Sequence, residues 1–145
     1  MNAKTGEINS YQPQLPPYGV LIESHHHEPN FQTGKHQHSY CSFVYIVSGM
    51  GRCEVDGRRY ELESDSVLML RRNQSHQLVD KCGRAMTVFV VYFKDKLPLL
   101  QEELATELFD TPFTKIPKHN SRQIRLLLRQ MVICVMKLFP PMFRM

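Results

Sequence analysis

Three histidines stand out as residues that could bind a metal ion or line a polar pocket. His36 and His38 are separated by one residue, so on an extended segment their side chains point to the same face. His76 falls on a later predicted strand, and the three imidazoles could therefore reach one point. Neutral imidazoles suit Zn²⁺, Ni²⁺, Fe²⁺ or Mn²⁺. The alternative, which we favour, is a metal-free pocket whose wall contains the three histidines.

Two further side chains are expected in the same pocket. Tyr45 and Arg71 could anchor a sugar hydroxyl or a carboxylate. We predict no catalytic residue, and a ligand-binding set made up of His36, His38, Tyr45, Arg71 and His76. The adjacent histidines at 25–27 cannot all point the same way on a strand, so we interpret them as a solvated loop rather than a metal site.

The chain between residues 40 and 93 is predicted to form short β-strands joined by tight turns. Residues 43–47 and 87–93 are rich in β-branched and aromatic side chains, and Asp56-Gly57 is a strong hairpin signal. The other predicted strands are 18–22, 53–55, 60–62, 67–70 and 76–79. Strands that recur so often without intervening helices are typical of an antiparallel sandwich or barrel. We therefore predict a mainly β fold.

The pattern becomes helical after Phe93. Residues 97–108 could hold one short helix, and residues 122–139 are predicted to form a longer one with Asn120 or Ser121 as its N-cap. One face of the longer helix carries Ile124, Leu127, Leu128, Met131 and Val135. This face either packs against the strands or forms a dimer interface.

Length, charge and composition limit the classes of protein to which the chain can belong. The 145 residues fit one domain with a short appendage, which we divide into a flexible segment (1–17), a barrel (18–96) and a helical appendage (97–145). The formal net charge of +4 is spread along the chain and is too weak to indicate nucleic-acid binding. No apolar run reaches the roughly 18 residues of a membrane span. Four cysteines without a CxxC pair favour a soluble, cytoplasmic protein with free thiols.

The histidine spacing resembles the two motifs of the cupin superfamily. The first motif is matched by Gly34, His36, His38 and Gly49, with Ser42 in place of a glutamate ligand. In the second motif His76 is kept, whereas its Gly, Pro, Gly and Asn are replaced by Asp65, Arg71, Asn73 and Asp80. The resemblance covers residues 34–93. It implies a cupin barrel (a double-stranded β-helix or jelly roll), followed here by a C-terminal α-helix.

Two stretches, FVYIVSGMG at 43–51 and EVDGRRYEL at 54–62, look like the N-terminal effector-binding domain of AraC-type transcription regulators. In that family the barrel is followed by dimerisation helices and then by two helix-turn-helix motifs. The resemblance implies a barrel that senses a small effector, a sugar or an organic acid, and a homodimer formed through the helix at 122–139. No room for the helix-turn-helix pair remains before Met145. We therefore expect a truncated regulator that does not bind DNA directly.

Two other functions remain open. One is a metal-dependent cupin enzyme, of the isomerase or dioxygenase type, that uses the three-histidine site. The sequence places no convincing general base beside the histidines, because Glu54 and Glu61 alternate with the inward-facing residues. The other is a structural dimerisation domain whose barrel is filled with side chains.

Overall fold

The computed structural model of the chain describes residues 14–15, 19–94 and 110–138. The short helix predicted at 97–108 lies outside these residues, as does most of the segment 1–17. Within the described residues the chain forms eight strands and one long helix. They are β1 (Val20–His26), β2 (Cys41–Ser48), β3 (Gly51–Val55), β4 (Arg58–Leu62), β5 (Ser66–Leu70), β6 (His76–Asp80), β7 (Thr87–Phe93), β8 (Phe113–Lys115) and α1 (Lys118–Leu138).

The strands form two antiparallel sheets. The larger sheet has the order β1-β7-β2-β5-β8, and the smaller has the order β4-β3-β6. Isolated bridges from Gln32 to Val79 and from His36 to His76 extend the smaller sheet beside β6. The prediction of a mainly β fold with a C-terminal helix is confirmed. The division of the chain into three segments at residues 17 and 96 stays a prediction.

The central strands β2, β5 and β7 of the larger sheet are largely buried on both faces, which explains why they are almost continuously apolar. Because side chains alternate along a strand, Val44, Leu68 and Val90 belong to an inner cluster between the sheets. Their neighbours Tyr45, Val67 and Phe89 belong to an outer cluster that also contains Leu128 of α1. The sheet therefore separates an interior space from the helix.

Tight turns hold the strands in register. Asp56 and Gly57 both have positive φ angles, of 50° and 81°, and join β3 to β4 as the hairpin signal predicts. Gly49 has a φ of 90°, and a Cβ atom there would lie 2.4 Å from the carbonyl oxygen of Ala85. Asp65 and Asn73 also adopt left-handed backbone, with φ angles of 71° and 62°, which suits their short polar side chains.

Helix α1 begins earlier than the sequence predicts. It starts at Lys118 rather than Arg122, so Asn120 and Ser121 lie inside its first turn and the N-cap prediction is wrong. Pro117 ends the preceding extended segment, and its carbonyl accepts a hydrogen bond from the N–H of Asn120 at 2.9 Å. The hydroxyl of Ser121 donates to the carboxylate of Asp65 instead of capping the helix.

The apolar face predicted for α1 is split in the structure. Ile124, Leu128 and Val135 pack on the outer cluster of the sheet, whereas Leu127 and Met131 are 52% and 42% exposed. No helix in the described part of the chain is long and apolar enough to cross a membrane.

Candidate functional site

A cavity of about 430 Å³ lies between the two sheets. Much of its wall is apolar, and this part of the lining consists of Val44, Leu68, Leu70, Leu78, Val88 and Val90. Polar lining residues lie on β6, at the end of β1 and in the extended segment between β1 and β2, and they include the acidic residue Glu28. The side chains of the described residues therefore do not fill the interior, and the size of the cavity suits a small molecule.

The three predicted histidines meet in this cavity. The backbones of His36 and His76 exchange two hydrogen bonds of 3.0 Å, and their ring centroids are 4.2 Å apart. The ring of His38 lies 4.8 Å from His36 and 5.2 Å from His76. The nearest ligand atoms of the three side chains all lie within 4.8 Å of one another. The convergence that the sequence predicts is confirmed, although His36 and His38 lie in an extended segment rather than in a regular strand.

Backbone carbonyls fix which nitrogen carries the hydrogen in two of the rings. His36 Nδ1 lies 2.8 Å from the carbonyl of Gly34, and His76 Nδ1 lies 3.1 Å from the carbonyl of Gln74. A carbonyl can only accept, so Nδ1 donates in both and Nε2 keeps a free lone pair. Among the described residues, the buried Nδ1 atom of His38 has no hydrogen-bond partner. The cluster therefore offers acceptor nitrogens that have no partner within it.

Burial keeps two of these imidazoles neutral. The pKa of His38 falls to about 4, first because of burial and then because of the neighbouring His76 and His36. The pKa of His76 also falls to about 4, mainly through burial, and its hydrogen bond with Gln74 opposes the change. Neutral imidazole is the form that binds metal ions or accepts hydrogen bonds.

This donor set fits a divalent metal ion. Three neutral imidazoles on one side of a cavity would supply three ligands and leave further positions open, as in catalytic zinc sites. A metal bound there would act as a Lewis acid toward a molecule in the cavity. Ser42, which also lines the cavity, stands where the related motif has a carboxylate, so the site lacks that negative charge.

Tyr45 and Arg71 do not line this cavity. Ser42 and Val44 face inward, so alternation turns Tyr45 outward; its hydroxyl donates to the Asp65 carboxylate and accepts from Arg125 Nε at 3.1 Å. Arg71 is exposed and its guanidinium lies 3.9 Å from the carboxylate of Asp110. The structure therefore brings together only the histidines of the predicted ligand-binding set.

The histidine run at 25–27 contributes to the cavity wall, so its interpretation as a solvated loop is wrong. His25 and His26 are the last residues of β1, and their backbones pair with β7. His26 Nδ1 lies 2.9 Å from the hydroxyl oxygen of Thr87. All three residues contribute to the cavity lining together with Phe31 and Tyr92. Their place in the lining was not predicted, because the first strand was expected to end at Ile22.

A cysteine in the lining is chemically inert. Cys53 lies on β3 and faces the cavity, and burial raises the pKa of its thiol to about 12. The reactive form of cysteine is the thiolate. Cys53 is therefore a wall residue rather than a nucleophile.

Comparison with known proteins assigns the family. A family model described as the AraC-like ligand binding domain matches residues 16–137, and the chain belongs to this family of cupin barrels. The family match agrees with the resemblance predicted from the sequence. The comparison with curated proteins finds no match.

Solved structures of cupin proteins are similar to this chain at low sequence identity. The cupin domain of Schizosaccharomyces pombe Cnp3 is 10% identical with a TM-score of 0.51, over 59% of this chain and 70% of that one. An RmlC-like cupin from Shewanella frigidimarina is 15% identical with a TM-score of 0.49, over 59% and 71%. Bacillus subtilis oxalate decarboxylase, described with Mn(II) centres, is 12% identical with a TM-score of 0.46, over 59% and 23%.

Proposed function

We propose that this chain is a small-molecule-sensing and dimerisation domain of an AraC-type transcription regulator. The observation that carries the proposal is the open cavity between the sheets, with three histidines at its polar wall. The family's ligand-binding description supports it. A structural domain with a packed barrel is disfavoured by the same cavity.

The effector is proposed to be uncharged, so a sugar or another neutral molecule suits the cavity better than an organic acid. Within the described residues, no lysine or arginine lines the cavity. A carboxylate would lack the bidentate partner that Arg71 was expected to provide. The acceptor nitrogens of His36 and His76 suit a hydroxyl hydrogen instead.

A polar network is proposed to link the barrel to α1. The carboxylate of Asp65, at the turn before β5, accepts hydrogen bonds from Tyr45 and from Ser121 Oγ, the latter at 2.8 Å. Arg125 donates to Tyr45 at 3.1 Å and to the carbonyl of Val47 at 2.9 Å. Since β2 carries Val44 on its cavity face, a change in the cavity could reach α1 through this strand.

The exposed face of α1 is proposed as the homodimer interface. Five large apolar side chains on this helix are between 42% and 52% exposed: Leu126, Leu127, Met131, Ile133 and Met136. Their clustering on one helix suggests a covered surface. The family resemblance implies that a second copy of the same chain covers this surface.

We propose a cytoplasmic protein, because Cys82 and Cys134 are exposed free thiols and Cys53 is a buried one. DNA recognition is proposed to need helix-turn-helix segments outside residues 1–145, so this chain alone is not expected to bind DNA. This could be tested by a gel-shift assay with regulator-type DNA sites.

Ligand screening tests the sensing role. The melting temperature of the metal-free protein would be measured with a library of neutral sugars, alcohols and organic acids. Binding to the folded state alone raises the melting temperature, and at least one neutral compound is expected to do so. The control variant His119→Gln changes an exposed residue of α1 and should respond like the wild type. The absence of any stabilising compound would argue against the sensing role.

A metal-dependent enzyme is the second candidate, and the three-histidine cluster is the observation that favours it. His36, His38 and His76 would hold the ion. Elemental analysis of protein purified without chelator or nickel resin would decide between the two. Stoichiometric metal that is lost in His76→Ala would favour the enzyme. Metal well below one ion per chain, unchanged by His76→Ala, would exclude it.

A further inference from the structure

The histidine run at 25–27 contains one residue whose environment differs from that of the three-histidine cluster. His27 follows β1 and lines the cavity. Its ring stacks on Phe31, with a centroid separation of 3.8 Å and an interplanar angle of 18°. Only 7% of the His27 side chain is exposed. The ring is therefore held in a fixed orientation within the cavity wall.

Asp80, the last residue of β6, determines which nitrogen of His27 carries the hydrogen. His27 Nδ1 lies 3.0 and 2.9 Å from the two carboxylate oxygens of Asp80, whose side chain is completely buried. A carboxylate only accepts, so Nδ1 donates. The backbone N–H of Met86 also donates to Asp80, at 2.8 Å. This second bond holds the carboxylate in position behind the imidazole.

The other nitrogen of His27 is left as an acceptor. In the neutral ring with hydrogen on Nδ1, the lone pair is on Nε2. Among the described residues, the side-chain hydrogen bonds of His27 all run from Nδ1 to Asp80. A buried carboxylate that fixes the tautomer of a histidine in this way is a known means of presenting Nε2 to a bound molecule. The cavity therefore has a second acceptor position outside the three-histidine cluster.

We propose that the His27–Asp80 pair is a ligand subsite, at which His27 Nε2 accepts a hydrogen bond from a hydroxyl group of the bound molecule. The proposal rests on the proposed function of the cavity as a small-molecule site. Phe31 and the apolar wall, which includes Leu78 and Val88, suit an apolar ring or chain beside that hydroxyl. The ligand class is thus an uncharged, largely apolar alcohol or phenol. A carboxylate carries no hydrogen to donate here.

Two matched probes test the donor requirement. 2-Naphthol and 2-methoxynaphthalene share a ring system, but only the first has an O–H donor. Calorimetric titration of metal-free wild-type protein at neutral pH should show 2-naphthol binding about fivefold more tightly, since a net hydrogen bond contributes about 1 kcal/mol. His27→Leu removes the imidazole acceptor without supplying another one, so it should abolish this preference.

The variant Asp80→Asn tests the role of the carboxylate more directly. The Asn oxygen can still accept from Met86, while its NH₂ group faces His27 Nδ1 and moves the ring hydrogen to Nε2. Nε2 then becomes a donor, and both probes can accept from it equally. The fivefold preference should therefore disappear although the cavity keeps its shape. His119→Gln, on the exposed side of α1, should keep the preference.

A second measurement covers the case in which Asp80→Asn does not fold. In wild-type protein, the ¹⁵N resonance of His27 Nε2 should move on addition of 2-naphthol and stay in place with 2-methoxynaphthalene. A hydroxyl preference that survives in both variants, or a His27 resonance that does not respond, overturns the subsite but leaves the cavity as a ligand site. If neither probe binds, the subsite and the proposed ligand cavity are both overturned.

Discussion

At the scale of single residues, imidazoles form the polar wall of the cavity, and neighbouring groups determine which ring nitrogen carries the lone pair. Carbonyl groups of Gly34 and Gln74 fix the hydrogens of His36 and His76 on Nδ1. Burial lowers the pKa of His38 and His76 to about 4. His38 and His76 are therefore neutral at neutral pH, and this part of the polar wall can accept hydrogen bonds.

The lowered histidine pKa values predict how stability depends on pH. In the unfolded chain these groups titrate near 6.5, and in the folded protein near 4. The unfolded state therefore binds protons first as the pH falls, and the free energy of unfolding decreases between pH 6.5 and 4. We expect His76 alone to account for at least about 1 kcal/mol of this loss. Chemical unfolding at several pH values measures it.

Variants separate this effect from other titrations. His76→Gln removes one titrating group, so its stability should fall less over the same pH range, whereas His119→Gln should behave as wild type. Asp65 contributes mainly below this window: burial raises the pKa of its carboxyl, but the hydrogen bonds from Tyr45 and Ser121 and the charge of Arg125 outweigh burial and lower this pKa from its ordinary value. An unchanged pH dependence in His76→Gln would contradict the account.

Some residues near the cavity could be placed from the sequence and others could not, because some positions depend on local periodicity and others on long-range contacts. The spacing of His36 and His38 depends only on strand periodicity, so their convergence with His76 was predictable. Tyr45 was misplaced because its strand is apolar on both faces, and periodicity then does not tell which face is inside. Asp80 and His27 come together through the bridge between residue 32 and β6, a long-range pairing that no local pattern indicates.

At the scale of secondary-structure elements, α1 is attached to the barrel by one apolar stripe and one polar network. Leu128 is 5% exposed at the centre of the stripe. Arg125 lies beside it, with its guanidinium 3.5 Å from the Asp65 carboxylate and 5.9 Å from the centre of the Tyr45 ring. The helix is thus fixed to the strands that form the cavity wall.

Replacing Arg125 should weaken this attachment. Arg125→Met keeps the aliphatic length but removes the hydrogen bonds to Tyr45 and Val47 and leaves Asp65 without its cation. We expect a loss of about 1–3 kcal/mol in the free energy of unfolding, the usual cost for hydrogen bonds of charged groups. Arg129→Met changes an exposed arginine on the same helix and should cost less than about 0.5 kcal/mol. Equal urea midpoints for the two variants would contradict the network.

The exposed side of α1 predicts the oligomeric state. Light scattering should find a dimer for the wild type, and Leu127→Glu combined with Met131→Glu should convert it to a monomer, because the charges oppose burial of this face. The control Arg122→Glu changes an exposed, already charged position of the same helix. A monomeric wild type, or a double variant that stays dimeric, would exclude this interface.

The helix also shows what sequence patterns leave undetermined. Its existence follows from the 3.6-residue periodicity of its apolar residues. The rotation of the helix about its axis does not follow from this periodicity, since Leu127 and Leu128 are adjacent and point about 100° apart on a helix. The sheet selects Leu128 because its outer face supplies the apolar partners Val67 and Phe89.

At the scale of the whole molecule, the five-stranded sheet lies between the cavity and α1. Leu68 and Leu70 of β5 face the ligand cavity, while Val67 and Met69 of the same strand face outward. A ligand that shifts β5 or β2 would therefore act on both clusters at once, because packed layers transmit small displacements. The fold was predictable from the turns and the strand spacing. The cavity inside it was not, since no sequence pattern indicates whether the inward-facing side chains of the two sheets contact one another.

The central claim, that the cavity binds an uncharged small molecule against the histidines, is tested most directly by calorimetric titration. Metal-free wild-type protein, His38→Leu and His119→Gln would each be titrated with the neutral compound that stabilises the wild type most. We predict one site per chain, binding that is at least about tenfold weaker in His38→Leu because a buried hydrogen-bond acceptor is lost, and no change in His119→Gln. Binding that is equally tight in all three proteins would contradict it.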